Sequence, residues 1–123
     1  MSAEAKPRLV LVVDDDEMIR RLVRAVLEAD AFEVAEARDG QTALQLASQT
    51  EPSVVVLDVM MPGLDGVEVC RRLDHDKVRV VMLTARDDPR LEAEARRAGA
   101  DAFMTKPFAP MQLLDLVGEL MSK

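Results

Sequence analysis

Short runs of large apolar residues alternate along this chain with stretches in which apolar positions recur every three to four residues. The runs fall at 9–13, 32–35, 54–57, 78–83 and 102–104, and near-continuous apolar runs of this length are what strands covered on both faces look like. Between them the spacing predicts helices. The first spans 17 to about 29, with Ile19, Leu22, Val23, Val26 and Leu27 on its apolar face and Arg20, Arg21 and Arg24 in water. The second opens after Asp39-Gly40, turns Ala43, Leu44, Leu46 and Ala47 inward, and ends before Glu51-Pro52. A third covers 67–73. The fourth is opened by Asp88 as N-cap with Pro89 at the first helical position and stopped by Gly99; the last covers 110–120. Five consecutive strand–helix units, uninterrupted by linker or repeat, predict one α/β domain over residues 1–123. Right-handed crossovers make it a doubly wound parallel sheet between two helical layers.

Composition narrows what such a domain can do. At 123 residues and 49% hydrophobic content there is one core and no room for a second domain. No apolar run reaches the length of a membrane span, and residues 1–8 lack the apolar stretch of an export signal, so a cytoplasmic location is expected. The lone Cys70 forms no internal disulfide and reads as a small core residue. Twenty-three acidic against sixteen basic residues leave a charge of −7, which opposes direct binding to nucleic acid or anionic membrane. With 2% aromatics and neither Trp nor Tyr, base-stacking platforms are absent as well.

In a doubly wound sheet, ligands bind beyond the carboxyl ends of the strands, where the winding reverses. Polar residues at those ends are therefore the candidates: Asp14, Asp15 and Asp16 after the first run, Asp58 after the third, Thr84 after the fourth, Thr105 and Lys106 after the fifth. With strand order 2-1-3-4-5, the acidic cluster and Asp58 become neighbours at the reversal point. One aspartate after a strand reads most simply as a helix cap, a role open to Asp16. Packed carboxylates, however, resist ionising together unless a cation is present, and hard oxygen donors suit Mg²⁺. Thr84-Ala85-Arg86-Asp87 also matches a capping pattern, but Asp88-Pro89 caps that helix better and leaves the Thr84 hydroxyl for the rim. Lys106 lies between Phe103 and Phe108 and precedes Pro107, which stiffens the loop and can hold the ammonium toward the acidic rim.

The stretches VVDDDE (12–17), LDVMMPGLDG (57–66), MLTAR (82–86) and FMTKPF (103–108), in this order, resemble the receiver domain of two-component response regulators. The resemblance runs from about residue 8 to 120. It implies a flavodoxin-like (βα)5 fold with strand order 2-1-3-4-5. It also implies that Asp58 accepts a phosphoryl group from a sensor histidine kinase or histidine phosphotransfer protein. By the same resemblance Asp14 and Asp15 bind Mg²⁺ or Mn²⁺, Asp15 directly and Asp14 largely through water, together with Asp58 and the Met60 carbonyl. Thr84 is then the switch hydroxyl, Lys106 the cation paired with the phosphoryl group, Phe103 the aromatic switch, and Lys106-Pro107 a cis peptide. The expected output is a change on the surface of helix four, strand five and helix five, read by an effector domain or a separate protein target. The chain is then no enzyme beyond gaining and losing its own phosphoryl group.

Some positions depart from the family pattern. Phe103 lacks the hydroxyl of the tyrosine common there, so only packing can report its rotamer. The last helix lacks the arginines with which transcription-factor receivers often dimerise, and His75, in the link before the fourth strand, reads as solvated. Rival readings fare worse. An aspartate-nucleophile phosphatase needs Asp-x-Asp-x-Thr, and Met18 breaks that pattern. A calcium hand counted from Asp14 meets Ile19 where it needs glycine and Ala25 where it needs glutamate. A flavin carrier needs a phosphate-binding loop where this chain has carboxylates. A degenerate receiver serving as a scaffold would lack phosphorylation residues that are all present here. The chain ends after the last helix, as a stand-alone receiver or a piece of a longer regulator would.

Overall fold

The computed structural model describes residues 8–122, so the reading of residues 1–7 as free of an export signal, and the outer limits of the domain, lie outside the described residues. Five strands alternate with five helices: β1 Leu9–Val13, α1 Glu17–Glu28, β2 Glu33–Ala37, α2 Gly40–Thr50, β3 Val54–Asp58, α3 Gly66–Arg72, β4 Arg79–Thr84, α4 Pro89–Arg97, β5 Ala102–Thr105 and α5 Pro110–Met121. All pairings are parallel, as the alternating pattern predicts, and the sheet order is β2-β1-β3-β4-β5, as the resemblance implies.

The period of two along each strand divides the core into two layers. Val10, Val12, Val54, Val56, Val81 and Leu83 pack with Val23 and Leu27 of α1 and Leu113, Val117 and Leu120 of α5. Leu11, Val13, Val55, Leu57, Val80 and Met82 point the other way, against Ala43 of α2, Val69 and Cys70 of α3 and Ala95 of α4. Cys70 is fully buried, and burial pushes its thiol up to about 11, so it behaves as the small core residue expected of it. No helix among the described residues is long and apolar enough to cross a membrane.

Helix starts account for many of the aspartates. Asp16, Asp39, Asp65 and Asp88 are the N-caps of α1 to α4, each accepting a hydrogen bond from a backbone N–H in the first turn. Because every crossover begins its helix at the carboxyl end of a strand, these caps collect on one rim. α5 is the exception and opens on Ala109-Pro110 with no side-chain cap.

Three local readings are corrected. β2 starts one residue later and ends two later than the apolar run suggested, because Ala31 takes a left-handed conformation and carries the turn up to Phe32. Its sequence, EVAEA, is polar because it is an edge strand. Arg20 and Arg24 do not simply face water, their side chains being 15% and 36% exposed: both guanidiniums bond Glu36, at 3.0 and 2.6 Å, since Glu36 follows Val34 onto the face of β2 that α1 covers. Of the apolar face expected for α1, Leu22 is turned outward, 47% exposed. His75 is not solvated either. Its Nε2 donates to the Cys70 carbonyl (2.6 Å), and its ring occupies the space beside Gly99, whose φ of +112° excludes other residues in any case.

Gly66 matters most for the site. It begins α3 directly against the end of β3, and a Cβ there would be driven into the carbonyl oxygen of Asp58 and lie 2.8 Å from Val59 Cα. Gly118, inside α5, has nothing within 4 Å of a Cβ. Gly66→Ala should therefore cost about 2 kcal/mol or more, because backbone must move, whereas Gly118→Ala should add about 0.5–1 kcal/mol by relieving a helical glycine. Urea unfolding of the two variants measures both signs.

Candidate functional site

Register and alternation bring the polar residues together. Val13 pairs with Leu57, so the next residues, Asp14 and Asp58, lie side by side at the ends of adjacent strands. Val10 and Val12 on β1, and Val54 and Val56 on β3, line the α1/α5 layer, and the period of two carries Asp14 and Asp58 to that same side. Ala102 and Met104 belong to that layer too, which places Lys106 there as the chain leaves β5. Thr84 and Phe103 have the opposite parity, with Met82 paired to Phe103 and Thr84 to Thr105.

The buried polar or charged residues among those described are Asp14 (2% exposed), Asp58 (4%) and Thr84 (0%). Such groups need partners. Lys106 reaches across the end of β4 to place Nζ 2.8 Å from Asp14 Oδ2 and 3.7 Å from Asp58 Oδ1. Its backbone N–H donates to the Thr84 carbonyl at 2.7 Å, and its peptide bond to Pro107 is cis. Asp14 Oδ1 accepts from the Asp16 N–H (2.9 Å), so both Asp14 oxygens already have donors. Asp58 Oδ1 also accepts from the Met60 N–H at 3.2 Å.

Carboxylate oxygens of Asp14, Asp15 and Asp58 lie within 4.8 Å of one another, Asp15 being the exposed member. One ammonium shared between Asp14 and Asp58 does not balance three carboxylates. Burial, then the Asp14 charge, pushes the Asp58 carboxyl up to about 7, against the lowering effect of Lys106 and the Met60 N–H. A close-set group of hard oxygen donors with uncompensated negative charge fits a Mg²⁺-sized divalent ion.

Other expected residues are less engaged. Thr84 Oγ1 accepts from the Arg86 N–H (3.2 Å), while Asp88 caps α4, so the hydroxyl keeps its own proton to donate. Phe103 is half-buried and lines an open groove with Glu92, Thr105, Phe108 and Gln112. Met60 is 49% exposed at the mouth of the β3–α3 loop. Asp16 caps α1 through Oδ1 and is not among the carboxylates grouped with Asp58, which weakens a phosphatase reading. Reasoning from sequence missed Arg20, whose Nη1 donates to the Asp14 carbonyl at 2.8 Å, and Gly66 beneath Asp58. A pairing of Arg20 with Glu36 could have been found only with the register of β2 in hand.

Comparison with known proteins agrees with this geometry. Residues 10–118 match the family model of the response regulator receiver domain. The transcriptional regulatory protein SrrA of Staphylococcus aureus is 36% identical over 115 residues, 93% of this chain and 48% of that protein, so the chain spans about half the length of the curated relatives it matches. Among solved structures, the Vibrio cholerae chemotaxis protein CheY4 has a TM-score of 0.85 at 32% identity, covering 91% of this chain and 97% of that one. The Francisella response regulator 1452 receiver domain has a TM-score of 0.86 at 33% identity, covering 95% and 98%.

The raised Asp58 carboxyl has a definite sign in stability. Between about pH 4, where an unfolded aspartate titrates, and about 7, the folded state holds a proton that the unfolded state has lost, so stability falls as pH rises through this window. In chelator, Asp58→Asn should therefore raise the melting temperature at pH 8, on the order of 5 °C, and change it little at pH 4. An equal shift at both pH values would contradict the buried-charge explanation.

Proposed function

The chain belongs to the response regulator receiver family, a signalling domain rather than a catalytic enzyme, and from that premise we propose that Asp58 is its phosphorylated residue. The observation that carries this reading is the buried Asp58 carboxylate, with Lys106 Nζ 3.7 Å away and Asp14 and Asp15 beside it. Its donor is a sensor histidine kinase or a histidine phosphotransfer protein, and its setting is the cytoplasm. An Asp58 oxygen attacks the phosphorus of a phosphohistidine whose other ring nitrogen is protonated, the P–N bond breaks with its electron pair returning to the ring so that neutral imidazole leaves, and an acyl phosphate forms. No general base is needed, since the ionised carboxylate is itself the nucleophile.

Lys106 is placed to pair with the transferred group as the Asp58 charge is spent in the new bond. Asp14 and Asp15, with Asp58 and the Met60 carbonyl, would hold Mg²⁺ or Mn²⁺, and that ion supplies the positive charge that lets crowded carboxylates ionise and offsets charge on the phosphoryl oxygens. The exposed Asp15 has oxygens free for direct ligation, while those of Asp14 already accept from Asp16 and Lys106. In this reading the chain's catalysis is confined to gain and loss of its own phosphoryl group.

The switch follows from charge and packing. A phosphoryl group adds acceptor oxygens at the rim, toward which the Thr84 hydroxyl can turn. Space vacated there is open to the ring of Phe103, and the surface of α4, β5 and α5 shifts in population. Phe103 has no hydroxyl, so steric fit alone carries the message. SrrA is named a transcriptional regulatory protein, and an effector domain or protein reading the α4-β5-α5 face is the output we assign to this chain.

Incubated with acetyl phosphate and Mg²⁺, the protein should shift on a phosphate-affinity gel, and should not shift with chelator or as Asp58→Asn; undiminished labelling of that variant would falsify the assignment. Phe103→Ala should be labelled at a rate near that of the unaltered chain yet lose the phosphorylation-dependent gain in partner affinity, measured by calorimetry with the cognate target.

A further inference from the structure

The ion pairs between α1 and β2 end in an unexpected place. Arg20 is 15% exposed in its side chain, and its guanidinium forms two bonds at once: Nε to Glu36 Oε1 (3.0 Å) on β2 and Nη1 to the backbone carbonyl of Asp14 (2.8 Å). The Asp14 N–H in turn donates to the Ala37 carbonyl at 3.2 Å. Both backbone polar groups of Asp14 are thus tied, one to β2 directly and one through Arg20. With its backbone held, Asp14 can present Oδ2 to Lys106 and Oδ1 to the Asp16 N–H while Asp15 follows it into the rim.

We propose that Arg20 is a positioning residue for divalent-ion binding, fixing the turn at Asp14 and Asp15 in the geometry that ligates the ion. This rests on the assignment of the metal to Asp14, Asp15 and Asp58. Its effect is geometric more than electrostatic, because Glu36 sits on the guanidinium and offsets its charge. Arg24 provides an internal control. It bonds the same Glu36 (2.6 Å), together with the Val34 carbonyl (3.1 Å) and Glu28 (3.0 Å), so it too fastens α1 to β2, but its bonds do not reach Asp14. Residues that orient ligands from behind typically change metal affinity by about 10–100-fold when replaced.

The test is calorimetric titration of Mg²⁺ into the full chain and its Arg20→Gln and Arg24→Gln variants. Arg20→Gln should raise the dissociation constant about tenfold, and Arg24→Gln by no more than about twofold. At saturating Mg²⁺, acetyl phosphate should label Arg20→Gln as fast as the unaltered chain, since its defect lies in holding the ion. If Arg20→Gln does not fold, Arg20→Lys, which keeps the charge but loses the two-pronged fork, is read in the same way. Equal affinities for Arg20→Gln and the unaltered chain, equal losses in the two Gln variants, or a labelling rate still depressed at saturating Mg²⁺ would overturn the role of Arg20. Absence of Mg²⁺ binding by the unaltered chain would instead overturn the metal assignment beneath it.

Discussion

Two carboxylates, Asp14 and Asp58, are held side by side at the ends of adjacent parallel strands with one lysine between them. At separations near 4 Å and an effective dielectric of about 20, two like charges repel by about 4 kcal/mol, a large fraction of a small domain's net stability. A chain selected only for stability would replace one of them. Here burial and repulsion are resolved partly by Lys106 and partly by a proton on Asp58, which leaves the site one cation short. That shortage fits the site for a divalent ion and is the ground on which position 58 is proposed as the place where negative charge is exchanged.

The rest of the molecule supplies the rigidity this arrangement needs. β3 is buried along its whole length, between α1 and α5 on one side and α2, α3 and α4 on the other, so its end cannot retreat from the rim. Gly66 lets α3 close against the Asp58 carbonyl, Thr84 accepts the backbone N–H of Lys106, and Arg20 fastens Asp14. The parity that sends Asp58 and Lys106 toward α1 and α5 sends Phe103 to the opposite side, toward α4. If Asp58 is the phosphorylated residue, as proposed, charge is received on one side of the sheet and packing responds on the other.

Much of this was legible from residue order because burial imposes period. β1, β3 and β4 are nearly all Val, Leu and Met, and a run buried on both faces has few other readings. Asp14, Asp58, Thr84 and Lys106 were identifiable as strand-end residues without coordinates, since the winding rule makes those ends the site. β2 was blurred because two of its five residues are glutamates, Glu33 exposed at its start and Glu36 turned toward Arg20 and Arg24 of α1. The inward turn of Arg20 and Arg24 was hidden because a helical wheel assigns charge to solvent and knows nothing of Glu36 across the gap. His75 was misjudged for a related reason: a polar residue in a short link was assigned to water, whereas Gly99 leaves a hole that its ring fills.

Asp58 is a buried carboxyl whose neighbouring carboxylates outnumber the one ammonium beside it, so its ionisation answers to a divalent ion. Carbon-13 labelling of aspartate carboxyls and an NMR titration follow that group directly, in chelator and then at saturating Mg²⁺. The expected metal-free midpoint is near 7, dropping by more than one pH unit when the ion is added. A midpoint near that of a free aspartate, about 4, and unmoved by Mg²⁺ would contradict it.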